Sequence, residues 1–345
     1  MGLNIREIVS RKEIDFRDLK GKTLCVDAFN TLYQFLSTIR QADGTPLQDE
    51  EGNITSHLSG ILYRNVALLS EGMKLVYVFD GEPPELKHKI HSKRKESRDL
   101  AREKYEEAKQ TENIEDMRKY GQQLTRLTDE MILESKELLE ALGICVIQAP
   151  GEGEAQAAYL CRQEGVYAAV SQDYDSLIFG APKLIRNLTL SRKKRTISGF
   201  VEVRPEIINL SDLLDELGID RDQLICIAIL VGTDYNPKGI PRIGQKKALQ
   251  LVKEHGAPEK IFEAVKEKID ELSEEDYFDW KVIFSLFAAP KVSEFDISFP
   301  ELNFSKIKEI LVNRHGFSEE RIDRQLEKLG ELKKAKQQKA LDKWF

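Results

Sequence analysis

The 345-residue chain has little of what a covalently or zinc-stapled scaffold needs. Its four cysteines, Cys25, Cys145, Cys161 and Cys226, are far apart and form no CxxC pair. That spacing argues against zinc ligation. Each thiol falls in an apolar run, as a small core residue of a reducing compartment does. No apolar stretch reaches the ~20 residues that span a bilayer. The amino terminus, MGLNIREIVS, meets charge too early for a secretory signal, and Arg6 stands where N-myristoylation needs Ser or Thr. The sequons at Asn53 and Asn187 therefore read as chance matches in an intracellular, cytoplasmic protein. No internal repeat is visible. Positive charge is also in deficit: 52 Lys and Arg against 59 Asp and Glu leave a net charge of −7. Such a balance speaks against nucleic acid only on average, because binding depends on local patches.

What is present is a globular pattern. Hydrophobic residues at 41% predict a packed core, in one large domain or two ordinary ones, and charged residues at 32% predict long solvated helices. KTLCVDAF is a short apolar run ending in Asp27, and a helical pattern follows around TLYQFLSTI. Residues 55–71 carry Leu58, Ile61, Leu62 and Leu69 at helical spacing, and KLVYVFD is a second strand-like run ending at Asp80. Strand, helix and strand at this distance predict a βαβ unit and a parallel sheet. GICVIQA and VYAAVSQ supply a third and a fourth strand, after a helix around MILESKELLEALG. LIRNLTL and ISGFVEV flank the basic SRKKRT and predict a β-hairpin with that run at its turn. After Arg204 the chain reads as mainly helical, with helices near 222–231, 245–254, 259–270, 276–288, 304–315 and 318–329.

The segment from Glu85 to about Gln123 is different. It follows Pro83-Pro84, is helical by propensity and has almost no apolar face, so it cannot bury a stripe in a core. Composition alone reads it as a solvated or disordered insertion; the functional reading is a mobile arch over a substrate site.

The four apolar runs share one property: each leads into acid. They end in Asp27, in Asp80, in Glu152 and Glu154 after Ala-Pro-Gly, and in Asp173 and Asp175. An Asp after a strand is often only a helix cap or a turn former. Four such ends in succession, two of them doubled, are hard to explain by capping. In an open α/β sheet, ligands bind beyond the carboxyl ends of the strands, where these acids would converge. Packed like charges repel, and a multivalent cation is the natural compensation. An all-oxygen ligand set selects Mg²⁺, with Mn²⁺ as a substitute and Ca²⁺ as a non-productive competitor. So many carboxylates suggest two ions, roughly 3.5–4 Å apart, the arrangement that stabilises attacking and leaving oxygens in phosphodiester hydrolysis.

LICIAILVGTDYNPKGIPRIGQKKALQLVKEHG carries the nucleic-acid signal. A hydrophobic helix runs to Val231, Asp234 follows in a loop, and Gly239 and Gly244 bracket a tight turn whose N–H groups can face a phosphate. The helix starting near Gln245 adds its dipole, and Lys246 and Lys247 add charge. The pattern is that of a helix–hairpin–helix binder of duplex backbone; a plain helix–turn–helix connection is the alternative.

Taken together, VDAFNTLYQFL, YVFDGEPPELK, APGEGEAQAAYL, SQDYDSLIFG and VGTDYNPKGIPRIGQKKAL resemble the flap endonucleases of the structure-specific 5′ nuclease superfamily, in particular their archaeal branch. The motifs occur in the family's order from Met1 to about residue 260. The resemblance implies an α/β fold of the PIN-like 5′ nuclease type, with a mainly parallel central sheet between helices, a helical arch and a helix–hairpin–helix-like element. It divides the chain into nuclease-domain parts at 1–99 and 117–261, an arch at 84–128, a C-terminal helical region at 262–329 and a flexible tail at 330–345. It makes Asp27, Asp80, Glu152, Glu154, Asp173, Asp175 and Asp234 the ligands of two Mg²⁺ ions. Asp175 is counted as catalytic as well, with Lys87 and Arg94, which match the arch-base residues that contact the scissile phosphate. Tyr33 matches an aromatic that stacks on a base near the cut. Gly2 matches a glycine at the junction, and the hairpin would bind K⁺ between protein and phosphate.

The arch begins basic, with Lys87, Lys89, Lys93, Arg94, Lys95 and Arg98 against Glu96, a guide for a single strand. Arg192, Lys193, Lys194 and Arg195 either contact duplex phosphates or make a soluble hairpin tip. The terminal QKALDKWF fits a sliding-clamp-binding motif, with Gln338, Leu341, Trp344 and Phe345 presented on an otherwise disordered tail. The expected activity is hydrolysis near the base of a DNA 5′ flap, with some 5′ exonuclease action, leaving a 5′-phosphate and a 3′-hydroxyl, in Okazaki-fragment maturation and long-patch repair. The expected partners are branched DNA and a sliding clamp, with no membrane, and the protein alone is expected to be a monomer. A relative specialised for bubbles or junctions, and a non-catalytic junction binder that recruits the clamp, are the alternatives; seven acids facing phosphates argue against the binder.

Overall fold

A computed structural model describes residues 3–41, 43–82, 100, 103–105, 107–108, 110–111, 113, 116, 119–121, 124, 126–190, 193–196 and 199–341, with side chains 193–196, 200 and 333–341 outside the description. In chain order the strands are β1 Lys12–Glu13, β2 Thr23–Asp27, β3 Lys74–Phe79, β4 Cys145–Gln148, β5 Val166–Val170, β6 Lys183–Arg186, β7 Lys193–Thr196, β8 Gly199–Glu202 and β9 Glu206–Asn209. The α-helices used below are α1 Ala28–Thr38, α2 Ser56–Ser70, α3 Asp129–Ala141, α4 Gly153–Leu160, α5 Asp175–Ile178, α6 Leu210–Leu217, α7 Arg221–Val231 and α8 Gln245–His255. They continue with α9 Pro258–Glu263, α10 Lys266–Asp270, α11 Trp280–Ala288, α12 Phe304–Lys308 and α13 Glu319–Leu341.

The main sheet has the order β1-β9-β6-β5-β2-β3-β4. The five strands from β6 to β4 are parallel, and β9 and β1 add antiparallel pairs at the other side. Parallel strands need cover on both faces. One face buries Cys25, Val76 and Val78 against α4, α7, α8 and α11; the other buries Leu24, Val26, Tyr77 and Phe79 against α1, α2, α3 and α13. The alternating strand residues thus divide between two cores, and the helices after residue 258 contribute to both. All four cysteines are buried free thiols.

Several sequence expectations change. The hairpin is shorter than expected: β7 pairs with β8 from Lys193↔Glu202 to Thr196↔Gly199, so the basic run forms a strand rather than the turn. LIR belongs to β6 of the main sheet, and Asn187, at φ 62°, takes a left-handed conformation just after it. Strand β9 interrupts the stretch read as mainly helical. The expected helix at 259–270 is two, α9 and α10. The one at 276–288 starts at Trp280, and the one at 304–315 passes from α12 into a π-turn over Glu309–Arg314. The last helix does not stop near 329; α13 continues through Leu341, so most of the expected flexible tail has a helical backbone. Among the described residues, no helix is long and apolar enough to cross a membrane.

One part-buried ionic bridge ties the loop after α1 to the C-terminal helices. His315 has its Nδ1 2.8 Å from Asp49 Oδ2 and its Nε2 2.9 Å from Glu134 Oε1. Both nitrogens must carry protons to donate to two carboxylates. Burial alone would lower the His315 pKa, but the bonds to Asp49 and Glu134 outweigh it and raise it, and the His315 bond holds Asp49 down to about 2. His57 on α2, wholly buried, is pushed down to about 3 by burial and by the charge on His315, and so stays neutral. A histidine pKa raised by folding stabilises below its unfolded value, roughly 6.5, and this is lost as pH rises through the folded value. Urea denaturation at several pH values should therefore show His315→Gln least stable relative to wild type between about pH 4 and pH 6, above the range where Asp49 takes up its proton. The gap should close in alkali, and a gap constant up to pH 9 would contradict the charged bridge.

Candidate metal and nucleic-acid site

The four strands that lead into acid lie side by side in the order β5-β2-β3-β4. Their carboxyl ends therefore open on one edge, and the acids meet there. Asp27 is the last residue of β2 and also the N-cap of α1, its Oδ1 accepting from the Asn30 N–H at 3.1 Å. Capping and clustering coexist in this residue. Asp80 follows β3, and its Oδ1 accepts from the Gly153 N–H at 2.6 Å, at the start of α4. Two further backbone bonds lace these loops together: Gly81 N–H to Gly151 O at 2.6 Å and Ala149 N–H to Phe79 O at 2.8 Å. Glycine is required at 81, where a Cβ would come within 2.1 Å of Ala149 O. Glu152 sits at the N-cap position of α4 without making a side-chain cap bond, and Glu154 lies in the first turn. Asp173 and Asp175 lie beyond β5, Asp175 opening α5 and only 7% exposed.

Asp234 comes from the other direction, out of the loop after α7. That loop is braced by its own side chains: Thr233 Oγ1 donates to Asn236 Oδ1 at 2.7 Å, and Asn236 Nδ2 donates to Ile229 O at 2.7 Å. Next to Asp234, the buried Tyr235 donates its hydroxyl to Glu152 Oε2. Burial and the neighbouring Glu152 charge push the Tyr235 pKa up, which keeps that donor protonated. The loop of the hairpin is thereby joined to the strand-end acids.

Electrostatics confirm that these groups feel one another. Asp27 is raised to about 7, by burial first and then by Asp80 and Asp173, against the Asn30 bond. Glu154 is raised by burial, then by Asp175, Asp27 and Asp173, with Ser171 opposing. Asp173 is raised by burial and by Asp234, with Arg186 and Asn30 opposing. Ser171 lies at the centre: its Oγ is 3.0 Å from Glu154 Oε1 and 3.4 Å from Asp27 Oδ2, and it accepts from the Asp173 N–H at 3.2 Å. Among the described residues, no three acid, histidine or cysteine side chains close up into a finished ligand cage. The chemistry of the set still fits a hard divalent cation: the donors are oxygens only, and folding has concentrated negative charge that burial and mutual repulsion disfavour.

The hairpin runs between α7 and α8. Gly239, at φ 57°, donates its N–H to Asn236 O at 2.8 Å, so that group is spent inside the loop and does not face outward. Gly244 starts α8 in open space. Lys246 is 82% exposed, with Glu7 3.8 Å away, and Lys247 is exposed as well. Gln245 Oε1 accepts from the Glu7 N–H at 2.8 Å, pinning the amino-terminal segment to the start of α8. Tyr33 on α1 is 42% exposed. Lys193 opens β7, with its side chain undescribed. Gly2, Lys87, Lys93, Arg94, Arg192, Trp344 and Phe345 lie outside the described residues, while Gln338 and Leu341 have helical backbone within α13.

Sequence reasoning missed Asn30, Ser171 and Tyr235, whose signal was only their nearness to the acids. It also missed Arg242, an exposed cation at the hairpin held at φ 65°, where a non-glycine residue is uncommon.

The profile of the XPG N-terminal domain matches residues 3–101, and that of the XPG I-region matches residues 143–234. The chain is 48% identical to flap endonuclease 1 of Thermococcus onnurineus, over 100% of this chain and 99% of that one. It is 47% identical to the flap endonuclease 1 of Pyrococcus furiosus, over 100% and 99%. Among solved structures, flap endonuclease-1 from Methanococcus jannaschii superposes with a TM-score of 0.76 at 37% identity, covering 97% of this chain and 100% of that one. The catalytic core of Rad2 in complex with DNA substrate shares the fold, with a TM-score of 0.69 at 23% identity over 95% and 100%.

Proposed function

The chain belongs to the flap endonuclease family, and from that premise we propose that its carboxylate edge is the cation-dependent centre at which a DNA 5′ flap is cut. It is a structure-specific nuclease, a phosphodiester hydrolase of branched DNA that works in replication and repair. The observation that carries the proposed site is the meeting of seven carboxylates, six from parallel strand ends and Asp234 from the hairpin loop, on one edge.

Asp27, Asp80, Glu152, Glu154, Asp173, Asp175 and Asp234 would hold two Mg²⁺ ions, with Mn²⁺ as a substitute. Hydrolysis needs a polarised phosphodiester and an activated water, which is the chemistry such cations supply when bound. The protein's own part is orientation. Lys87 and Arg94 would bear on the scissile phosphate, with Lys93 beside them, and Tyr33 would stack on a base. Gly2 would lie at the junction. Lys246 and Lys247 would take duplex phosphates, with K⁺ at the hairpin near Gly239 and Gly244. Arg192 and Lys193 would reach further along the duplex. The test is a labelled 5′-flap substrate incubated with Mg²⁺ or with EDTA, against single-strand and plain duplex controls. Cleavage near the flap base is expected only with Mg²⁺; an uncut flap at saturating Mg²⁺ would refute the reading.

Gln338, Leu341, Trp344 and Phe345 would engage a sliding clamp. Truncation after Lys336 should leave intrinsic flap cleavage unchanged and abolish its stimulation by the clamp. Stimulation that survives the truncation would remove the tail from this role.

A further inference from the structure

Asn30 occupies the third position of α1, where a Glu would commonly reach back to close a capping box with its N-cap partner. Its side chain instead crosses to the neighbouring strand end. The Asn30 Nδ2 donates to Asp173 Oδ2 at 2.8 Å, and its Oδ1 accepts from the Gln172 N–H at 3.1 Å. Its backbone N–H meanwhile donates to Asp27 Oδ1 at 3.1 Å. One neutral residue thus grips two carboxylates that arise from different strands and repel each other, and it engages one oxygen of each. The amide orientation follows from its partners, since only the NH₂ can face a carboxylate and only the carbonyl can face an N–H. A lysine or arginine here would also hold both acids, but it would neutralise the charge that attracts a cation. The amide supplies the Asp173 bond, the backbone N–H supplies the Asp27 bond, and the charge stays in place.

We propose that Asn30 is a positioning residue that sets the cation affinity of the carboxylate cluster, by fixing the relative orientation of Asp27 and Asp173. The proposal rests on the reading of the carboxylate edge as the cation site. Residues that orient metal ligands typically contribute 10- to 100-fold in metal affinity or activity.

The test uses Asn30→Ala and the near-isosteric Asn30→Leu, each checked by thermal melting in EDTA. Mn²⁺ binding to the full chain without DNA is read by electron paramagnetic resonance, and the Mg²⁺ concentration for half-maximal flap cleavage is read alongside. Both variants should melt near wild type, bind Mn²⁺ about tenfold or more weakly, and need about tenfold or more Mg²⁺. Cleavage at saturating Mg²⁺ should return to within a few-fold of wild type, a split that a general loss of structure would not give. If a folded variant keeps Mn²⁺ affinity and Mg²⁺ requirement within twofold of wild type, the inference is wrong. It is equally wrong if cleavage is lost at every Mg²⁺ concentration while Mn²⁺ binding is unchanged. A wild-type chain that fails to cut the flap would strike the nuclease reading instead, and the Mn²⁺ measurement would still decide the role of Asn30.

Discussion

Asp175→Ala should abolish flap cleavage, leave flap binding within a few-fold, and keep or raise the thermal midpoint in EDTA. The loss of rate follows from the proposed site: stabilising transition-state charge with a bound cation is worth several kcal/mol, and about 4 kcal/mol corresponds to roughly a thousandfold. The stability arm follows from the geometry. Asp175 is 7% exposed, and after burial its charge contributes most among the neighbouring charges to raising the Glu154 pKa. Removing it relieves repulsion that no cation offsets in EDTA. An ordinary buried side chain behaves in the opposite way, since truncation leaves a cavity and lowers stability. A variant that cuts at the wild-type rate would end the metal assignment of Asp175. One that loses both cleavage and several degrees of midpoint would mark Asp175 as a structural residue.

Gly239→Ala should be the most disruptive single methyl group in the hairpin. The residue has φ 57°, and an added Cβ would stand 2.3 Å from Val231 O, 2.4 Å from Val231 C and 2.7 Å from Leu230 O. All three atoms are backbone at the end of α7, so none can swing away. The left-handed conformation and the forced shift together should destabilise by about 3 kcal/mol. The shift would also pull on the Ile240 N–H bond to Leu230 O, 2.9 Å, which anchors the hairpin. Gly244→Ala is the contrast, because a Cβ there meets nothing within 4 Å and φ is −91°. Its effect on stability should be about 1 kcal/mol or less. Urea midpoints and duplex-binding titrations read both variants, and a Gly239→Ala protein as stable as wild type would show that the loop is not built as described.

The acid-ended strands were legible because hydrophobic runs of four to six residues that stop at a carboxylate survive in the one-dimensional pattern. Their order across the sheet was not written there, although parallel pairing followed from the intervening helix. The hairpin was misplaced because LIRNLTL reads as one apolar run, whereas Asn187 ends a strand inside it by taking positive φ. Strands β1 and β9 have two and four residues, too few to show alternation. At the site, the acids were visible as types, and the cap reading of Asp27 was true as well as incomplete. Asn30 was invisible for a physical reason: an Asn three residues after an Asp at a helix start looks like local capping, and only the fold brings Asp173 within 2.8 Å of it.

The continuation of α13 to Leu341 changes how a tethered enzyme would move. Its first turns are seated through Ile322, Leu326 and Leu329, and Leu332 still packs on the same core. Beyond Leu332 the backbone advances as a rod for about 14 Å rather than wandering as a coil. A coil lets its load explore every orientation about the anchor. A rod holds its load to one direction, trading reach for aim.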